Sequence, residues 1–305
     1  MVWIPGGTFA MGSDGFYPEE RPVHDASVRG FWIDEHPVTV AEFGRFVAAT
    51  AYVTVAERPP DPALYPGVAR EQLVPGSLVF RRSPGPVPTD DVGRWWAWVP
   101  GASWRCPEGP ASSVDGREAH PVTHVAYEDA EAYARWAGKD LPTESEWEFA
   151  ARGGLDAAVY AWGDAFAPRG ELLANTWQGE FPWQNLLLDG YEGTSPVRAF
   201  RPNGYGLFDV TGNVWEWTVD PWRLHQAPAG KGCCGPGRDR AAPAIPRRVT
   251  KGGSHLCAPN YCRRYRPAAR QGQSVDTSTS HIGFRCVRRA EPRPRNAETP
   301  LSTSR

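Results

Sequence analysis

Amphipathic helical patterns occur at three places in this sequence, and all of them end before residue 155. The three segments are residues 36–50, 120–138 and 141–154. Two of them begin with a capping box, in which a threonine is followed three residues later by a glutamate: Thr39 with Glu42, and Thr143 with Glu146. Beyond these segments the helical period fades, so the rest of the chain is predicted to form short strands, turns and loops.

Each predicted helix should turn one apolar face inward. The expected inward residues are Phe43, Phe46 and Val47 in the first helix, Tyr133, Trp136 and Ala137 in the second, and Trp147, Ala150 and Ala151 in the third. The first two segments also share the tetrapeptide His-Pro-Val-Thr, at residues 36–39 and 120–123. This repeat suggests two similar structural units.

Glycine and proline should make the remaining backbone irregular. The chain contains 32 Gly, 31 Pro and 14 Trp. Gly and Pro interrupt helices and strands, whereas Trp supplies a large buried area. We therefore expect irregular backbone held together by aromatic side chains. Residues 55–118 and 225–248 are predicted to form long surface excursions, and residues 290–305 a flexible, solvated tail.

The overall charge excludes some classes of partner. The 33 basic and 35 acidic residues give a net charge of -2, which argues against nucleic acid or an anionic membrane as a partner. The N-terminus does not resemble a secretory signal, and no apolar run approaches the roughly 18 residues needed to span a bilayer. A cytoplasmic location is the resulting expectation. In a reducing compartment, cysteines are more often metal-binding, catalytic or buried than disulfide-bonded.

Two cysteines, Cys257 and Cys262, lie five residues apart in "KGGSHLCAPNYCRRYRPAAR", and Pro259-Asn260 between them is a good turn centre. A disulfide is possible if the turn brings the thiols together. Structural zinc is a poorer match, since it needs four ligands and no second pair of this kind occurs. Two thiolates without further ligands suit a soft, low-coordinate ion such as Cu(I), and the positive charges of Arg263, Arg264 and Arg266 would favour the thiolate form. A reactive dithiol that can carry metal is therefore a third interpretation.

The segment from 251 to 289 resembles the C-terminal signature of the formylglycine-generating enzymes. The resemblance extends over most of residues 2–289 and includes "IPGGTFAMGS", "HPVTHVAYEDAEAYARWAGKDLPTESEWEFAARGG", "NTWQGEFP" and "PNGYGLFDVTGNVWEWTVD". It implies a single α+β domain over residues 1–289, of the sulfatase-modifying-factor type, which is related to C-type lectins and has little regular secondary structure.

The resemblance also implies a reaction. Such enzymes oxidise the cysteine of a Cys-x-Pro-x-Arg segment in an unfolded sulfatase polypeptide to Cα-formylglycine, with O2, a thiol reductant and Cu(I), and thereby activate the sulfatase. By this resemblance, Cys257 and Cys262 are the copper ligands, and Ser254, Tyr261 and Trp215 are active-site residues. The enzyme is expected to be a monomer, as a bacterial-type member of the family.

The resemblance further implies two structural Ca²⁺ sites. One set is Asn175, Thr176, Asp189 and Tyr191; the other is Asp209, Gly212, Val214 and Glu216. Ca²⁺ accepts carboxylate and backbone carbonyl oxygens, which both sets can offer. By spacing alone, ordinary turns are the stronger interpretation, because Asp, Asn and Gly are common turn residues. Their role would be to brace irregular backbone, not to catalyse.

Some features depart from the resemblance or have no role in it. His281 precedes "IGFRC", where many members of the family carry Asn, which leaves the role of that position open. Cys106, Cys233, Cys234 and Cys286 have no catalytic assignment, and Cys286 is interpreted as a small buried residue. Two other functions compete with the copper oxidase: a ligand-binding module of the same fold, and a non-haem iron enzyme, for which the His-rich ligand set is not found.

Overall fold

The computed structural model describes residues 1–225 and 245–289. Within them, the strands are β1 (Val2–Ile4), β2 (Gly7–Met11), β3 (His24–Val28), β4 (Phe31–Ile33), β5 (Gly76–Phe80), β6 (Trp96–Pro100), β7 (Trp215–Pro221), β8 (Arg247–Lys251), β9 (Arg270–Ser274), β10 (Ile282–Gly283) and β11 (Val287–Arg289). The helices are α1 (Val40–Thr50), α2 (Tyr127–Trp136) and α3 (Glu144–Arg152). No helix of the described residues has the length and apolar character needed to cross a membrane.

Both predicted capping boxes are confirmed. The backbone N–H of Glu42 donates to Thr39 Oγ1 at 3.2 Å, and the N–H of Thr39 donates to Glu42 Oε2 at 2.9 Å. The corresponding distances between Thr143 and Glu146 are 3.1 and 2.8 Å. Helix α3 ends at Gly153, which has a left-handed φ of 60°. Local hydrogen bonds therefore decide where these helices begin and end.

The predicted inward faces of α1 and α3 are confirmed, because all six of their residues are buried. In α2, Tyr133 is buried, but Trp136 is 44% exposed, so the prediction for Trp136 is wrong. Trp136 is the last residue of its helix, and its ring lies on Phe46 and Tyr133 at the outer edge of the aromatic cluster. Its position at the edge leaves part of the indole in solvent.

The two His-Pro-Val-Thr copies pair with each other and do not form equivalent units. The N–H of Val122 donates to Val38 O, and the N–H of Val40 donates to His120 O, both at 2.9 Å. Only the first copy caps a helix directly. After the second copy, His124 adopts a positive φ of 59°, which delays the start of α2 to residue 127. The repeat therefore marks two neighbouring segments, and the prediction of similar units is wrong.

Two small sheets organise the domain. In one, β4 lies between β1 and β11, and all pairs are antiparallel. In the other, the order is β10-β7-β8-β9; the β10–β7 pair is parallel and the remaining pairs are antiparallel. Two further antiparallel pairs are β2–β3 and β5–β6. The second sheet positions the functional site, because the thiol segment connects β8 to β9.

The prediction that residues 55–118 form a surface excursion is wrong for its central part. Strands β5 and β6 pair in this segment, and Val79, Trp95 and Trp104 are buried. Trp95 is 1% exposed and packs on Phe181 from a distant part of the chain. Most of the second predicted excursion, 226–244, and the predicted tail, 290–305, lie outside the described residues.

Candidate functional site

The turn between β8 and β9 brings the two thiols together. Cys257 Sγ and Cys262 Sγ are 2.8 Å apart, and both cysteines are free and buried. The N–H of Cys262 donates to Ala258 O at 2.8 Å, which closes the predicted turn around Pro259 and Asn260. The two cysteines are therefore unbonded in this structure, at a separation well beyond the S–S bond length of about 2.05 Å.

Glycine is required just before the thiols. Gly252 and Gly253 have φ values of 91° and 72°. A Cβ at Gly253 would lie 2.6 Å from the carbonyl oxygen of Arg264, which is too close for any side chain. Gly252 and Gly253 therefore let the chain leave β8 and pack closely against the backbone of Arg264, in the segment that follows Cys262. This close packing places Ser254 and Cys257 beside Cys262.

The thiols line an open cleft of about 500 Å³. The five residues predicted for the active site all line it: Trp215, Ser254, Cys257, Tyr261 and Cys262. Further lining residues, which the sequence did not reveal, include Glu19, Trp95, Trp96, Phe181 and Trp222; Arg264, from the basic run that follows Cys262, lines the cleft as well. They come from segments far apart along the chain. A cleft of this size and openness can admit a peptide segment.

One wall of the cleft is aromatic. Tyr261 stacks on Phe181 with ring centroids 4.4 Å apart, and the Trp95 ring meets both of them edge-on at 5.4 and 5.3 Å. Phe181 directly follows "NTWQGE", a segment whose only signal in the sequence is its family resemblance. No local pattern indicates that Trp95 or Phe181 would reach the thiols, because these contacts depend on tertiary packing.

The two thiols differ in their surroundings. Burial raises the pKa of Cys257. The hydrogen bond from Cys257 and the positive charge of Arg264 lower the pKa of Cys262, and the nearest guanidinium nitrogen is 3.9 Å from its sulfur. Cys262 is thus the thiol that more readily becomes a thiolate.

His281 also lines the cleft. Its Nδ1 is 2.7 Å from Thr279 Oγ1, and its ring lies 4.8 Å from the Trp96 ring. Burial lowers the pKa of His281 to about 3, so the imidazole is neutral near pH 7. The residue that departs from the family pattern therefore faces the site as a neutral polar group.

The thiol pair fits a soft, low-coordinate metal ion. Two buried sulfur atoms point at each other, which is the donor set that Cu(I) prefers. Among residues 1–225 and 245–289, no group of three or more His, Cys, Asp or Glu side chains could hold a metal. The described residues therefore offer neither a four-ligand zinc site nor a His-rich iron site. Cys233 and Cys234 lie outside the described residues.

The first predicted calcium set fits a cation. Asn175 Oδ1 and Thr176 Oγ1 are buried without hydrogen-bond partners in the described part of the chain. Asp189 accepts from the backbone N–H groups of Thr176 and Tyr191 at 3.2 and 3.0 Å, while burial raises its pKa. A Ca²⁺ ion would satisfy unpaired oxygens and favour the charged carboxylate. The four residues are thus compatible with the predicted site, which stays a prediction.

The second predicted calcium set already contains a positive charge. Arg285 donates to both oxygens of Glu216, at 2.7 and 2.8 Å, and to the carbonyl oxygen of Asp209 at 3.1 Å. Trp147 Nε1 donates to Glu216 Oε2 as well, at 2.7 Å. The Asp209 carboxylate accepts from two other groups. Because Glu216 is neutralised within the protein, Ca²⁺ would have to share this carboxylate with Arg285, and we derive no function from the second set.

The two other described cysteines lie away from the cleft. Cys286 is fully buried in the aromatic core beside Phe284, which agrees with its interpretation as a small buried residue. Cys106 is partly exposed in the loop after β6. Neither thiol lines the cleft.

Comparison with known proteins identifies the class of fold and then the family. A solved structure, PvdO from Pseudomonas aeruginosa, superposes with a TM-score of 0.62 at 24% identity and covers 95% of this chain and 94% of that one. The chain therefore shares the α+β fold of that structure.

The sequence comparisons are more specific. Residues 1–290 match the family described as "Sulfatase-modifying factor enzyme 1-like domain". The "Formylglycine-generating enzyme" of Mycobacterium tuberculosis is 57% identical, over 94% of this chain and 97% of that protein. The protein of the same name from Thermomonospora curvata is 48% identical, over 94% and 92%. The chain belongs to the sulfatase-modifying factor family, which confirms the resemblance predicted from its motifs.

Proposed function

We propose that this protein is a copper-dependent oxidase that converts the cysteine of a Cys-x-Pro-x-Arg motif into Cα-formylglycine and so activates sulfatases. The observation that carries this proposal is the pair of free thiols, 2.8 Å apart, that lines an open cleft. Relatives named formylglycine-generating enzymes, with identities up to 57%, support it.

Cys257 and Cys262 would hold Cu(I) through their sulfurs. When bound, the copper ion would supply affinity for the substrate thiolate and reactivity toward O2. The surrounding residues keep the thiols in place: Ser254 Oγ accepts from the N–H of Leu256 at 3.3 Å, and its carbonyl accepts from the N–H of Cys257 at 2.9 Å. These bonds hold the first thiol at the start of the turn.

Trp215 and Tyr261 would shape the pocket for the reacting cysteine. Trp215 is buried at the start of β7, where its backbone N–H donates to His281 O at 2.9 Å. Tyr261 is fixed by its stack on Phe181. Large rigid rings can exclude water from the thiol pair while the cleft above them stays open. An unfolded polypeptide fits this geometry, because an extended segment that carries a cysteine can enter an open cleft lined by the two thiols.

The proposed reaction balances with one O2 and two reducing thiols. The Cβ–S bond of the substrate is replaced by a C=O bond, sulfur leaves as hydrogen sulfide, and the substrate loses two electrons. O2 takes up four electrons in total, so two must come from the thiol reductant, which becomes a disulfide. One oxygen atom ends in the aldehyde and the other in water.

Calcium at Asn175, Thr176, Asp189 and Tyr191 would be structural under this proposal. The same loop carries Phe181 to the thiol turn, so a braced loop would keep the aromatic wall in position. We further expect a cytoplasmic monomer that binds neither nucleic acid nor membrane. Sedimentation analysis of the purified protein tests whether it is a monomer.

The experiment supplies Cu(I)-loaded protein with a Cys-x-Pro-x-Arg peptide, O2 and reductant, and follows the aldehyde by mass spectrometry. Cys257→Ser and Cys262→Ser should each abolish product, whereas Cys106→Ser, outside the cleft, should not. An unchanged rate in both cleft variants would remove the pair as the metal site. A protein that binds the peptide but never yields aldehyde would favour the ligand-binding module instead.

A further inference from the structure

A short N-terminal segment, residues 16–20, packs across the chain that follows Cys262. We call it the strap. The Tyr17 hydroxyl accepts from the backbone N–H of Arg263 at 2.9 Å. The Tyr17 ring lies under the Arg264 guanidinium, with the central carbon 3.7 Å from the ring centroid. These contacts join positions that are about 245 residues apart in the sequence, so the strap is a tertiary feature of the site.

The strap fixes Arg264 from two sides. Glu19 Oε1 pairs with Arg264 Nη2 at 2.5 Å, while the Tyr17 ring covers one face of the guanidinium. Next to it, Glu20 pairs with Arg266 at 2.9 and 2.5 Å in a fully buried, bidentate arrangement. The neighbouring pair anchors the strap, so Arg264 is held in one orientation.

In that orientation Arg264 faces the thiols. Its Nη1 lies 3.9 Å from Cys262 Sγ, and Arg264 lines the cleft together with Glu19. Arg264 Nε is buried without a hydrogen-bond partner among the described residues, so the guanidinium keeps a free donor. In the described part of the chain, no other cationic side chain makes a hydrogen bond to either sulfur. Arg247 also lines the cleft, but its guanidinium donates to Gly272 O.

The negative charge of the metal-bound thiolates explains why a nearby guanidinium would affect Cu(I) binding. A metal-bound sulfur is a thiolate, so two thiolates with one Cu(I) carry a net charge of about -1, and a third thiolate from a substrate would make it about -2. Buried negative charge is costly unless a positive group lies close by. Glu19 pairs with Arg264 and offsets part of its charge, so removal of Arg264 would leave both the thiolates and the Glu19 carboxylate without a positive partner.

We propose that Arg264, positioned by Tyr17 and Glu19, balances the negative charge of the Cu(I)-bound thiolates and is a determinant of Cu(I) affinity. This inference rests on the proposed function, since it takes Cys257 and Cys262 as the copper ligands. Arg264 acts through Cys262 and is a positioning residue that need not touch the reacting carbon.

The test is Cu(I) affinity, measured under anaerobic conditions by competition with a chromogenic Cu(I) chelator, without any substrate. Arg264→Gln should weaken the affinity by about tenfold or more, because the charge beside the sulfur is lost. Arg264→Lys keeps a positive charge and should restore most of the affinity, to within about threefold of the unsubstituted protein. A role that depended only on packing would not be rescued by lysine in this way.

Arg263→Gln is the matched control. Arg263 is exposed, adjacent to Arg264, and makes no hydrogen bond to a sulfur, so its variant carries the same change in net charge and should bind Cu(I) normally. Thermal unfolding of the apo-proteins checks that each variant is folded. If the Arg264→Gln protein folds poorly, the Cu(I) affinity of the Arg264→Lys protein still tests the inference.

The outcomes separate the two proposals. Equal Cu(I) affinity of the Arg264→Gln and Arg263→Gln proteins, with tight binding by the unsubstituted protein, would overturn the role of Arg264 and leave the copper oxidase intact. Loss of affinity in Arg264→Lys as large as in Arg264→Gln would also overturn it. Absence of stoichiometric Cu(I) binding by the unsubstituted protein would overturn both proposals.

Discussion

Phe181 and Tyr261 stack face to face, with ring centroids 4.4 Å apart and planes 5° from parallel. This contact joins two loops: one carries Asn175 and Asp189 of the first predicted calcium set, and the other carries Cys257 and Cys262. A change in the position of one loop should therefore alter the position of the other. The stack also explains why Tyr261, half-buried beside the thiols, can hold a fixed position on an irregular backbone.

Replacing Phe181 should affect both stability and activity. Phe181→Ala removes a buried ring that contacts Tyr261 and Trp95, so we expect a loss of about 3–5 kcal/mol in the free energy of unfolding. Aldehyde formation should fall as well, because Tyr261 loses its support. Tyr261→Phe keeps the stack and should retain stability. Denaturant unfolding and peptide turnover of both variants measure this, and full activity in a destabilised Phe181→Ala protein would contradict the link.

Removal of calcium should loosen the loop that carries Phe181. If the first set binds Ca²⁺, dialysis against a calcium chelator should lower the melting temperature, and added Ca²⁺ should restore it. Asp189→Ala should abolish this response, because Asp189 supplies the carboxylate of the set. Differential scanning fluorimetry with and without the chelator measures both effects. An identical melting temperature under the two conditions would reject a labile site.

His281 should not contribute an inflection to the pH profile near neutrality. His281 is partly buried at the wall of the cleft, and burial lowers the pKa of its imidazole to about 3, so it is neutral between about pH 5 and pH 8. His281→Asn keeps a polar side chain and should leave the shape of the pH–rate profile unchanged over this range. His281→Leu should lower turnover, because an apolar side chain leaves Thr279 without its partner. A change in the inflection point in His281→Asn would show that His281 titrates during turnover.

Asp129 should make stability fall as pH rises through the acidic range. Its carboxylate accepts from the N–H groups of Val55 and Ala126 at 3.0 and 2.8 Å, yet burial raises its pKa to about 7. The folded state then binds more protons than the unfolded state between about pH 4 and pH 7, so this group's contribution to stability is full below that interval and is lost across it. The difference in unfolding free energy between the unsubstituted protein and Asp129→Asn, measured at several pH values, should fall over the same interval. A constant difference would rule out the raised pKa.

Much of the local structure can be predicted from the sequence. The capping boxes at Thr39 and Thr143 are readable there, since the bonds that make them join residues three positions apart. The turn around Pro259 and Asn260 is also predictable, and with it the approach of the two thiols. The copper and calcium ligands come from family resemblance, and their metal-binding roles stay predictions.

The walls of the site cannot be predicted in the same way. The Gly and Pro content of residues 55–118 predicts a surface segment, yet Trp95 from this segment is buried against Phe181. The strap has no signal in the sequence, because nothing near Tyr17 or Glu19 points to Arg264. A sequence pattern with a period of a few residues cannot predict contacts between residues that are hundreds of positions apart.

By itself, the sequence determined the three helix segments, the cysteine turn and the family, because each of these depends on residues close together or on motifs with fixed spacing. Only the tertiary structure decided that Trp95, Phe181 and Tyr261 form one wall, and that Glu19 and Arg264 meet beside Cys262. The physical reason is that caps and turns are local hydrogen bonds, whereas a cleft is made by packing and charge pairing of segments that folding brings together.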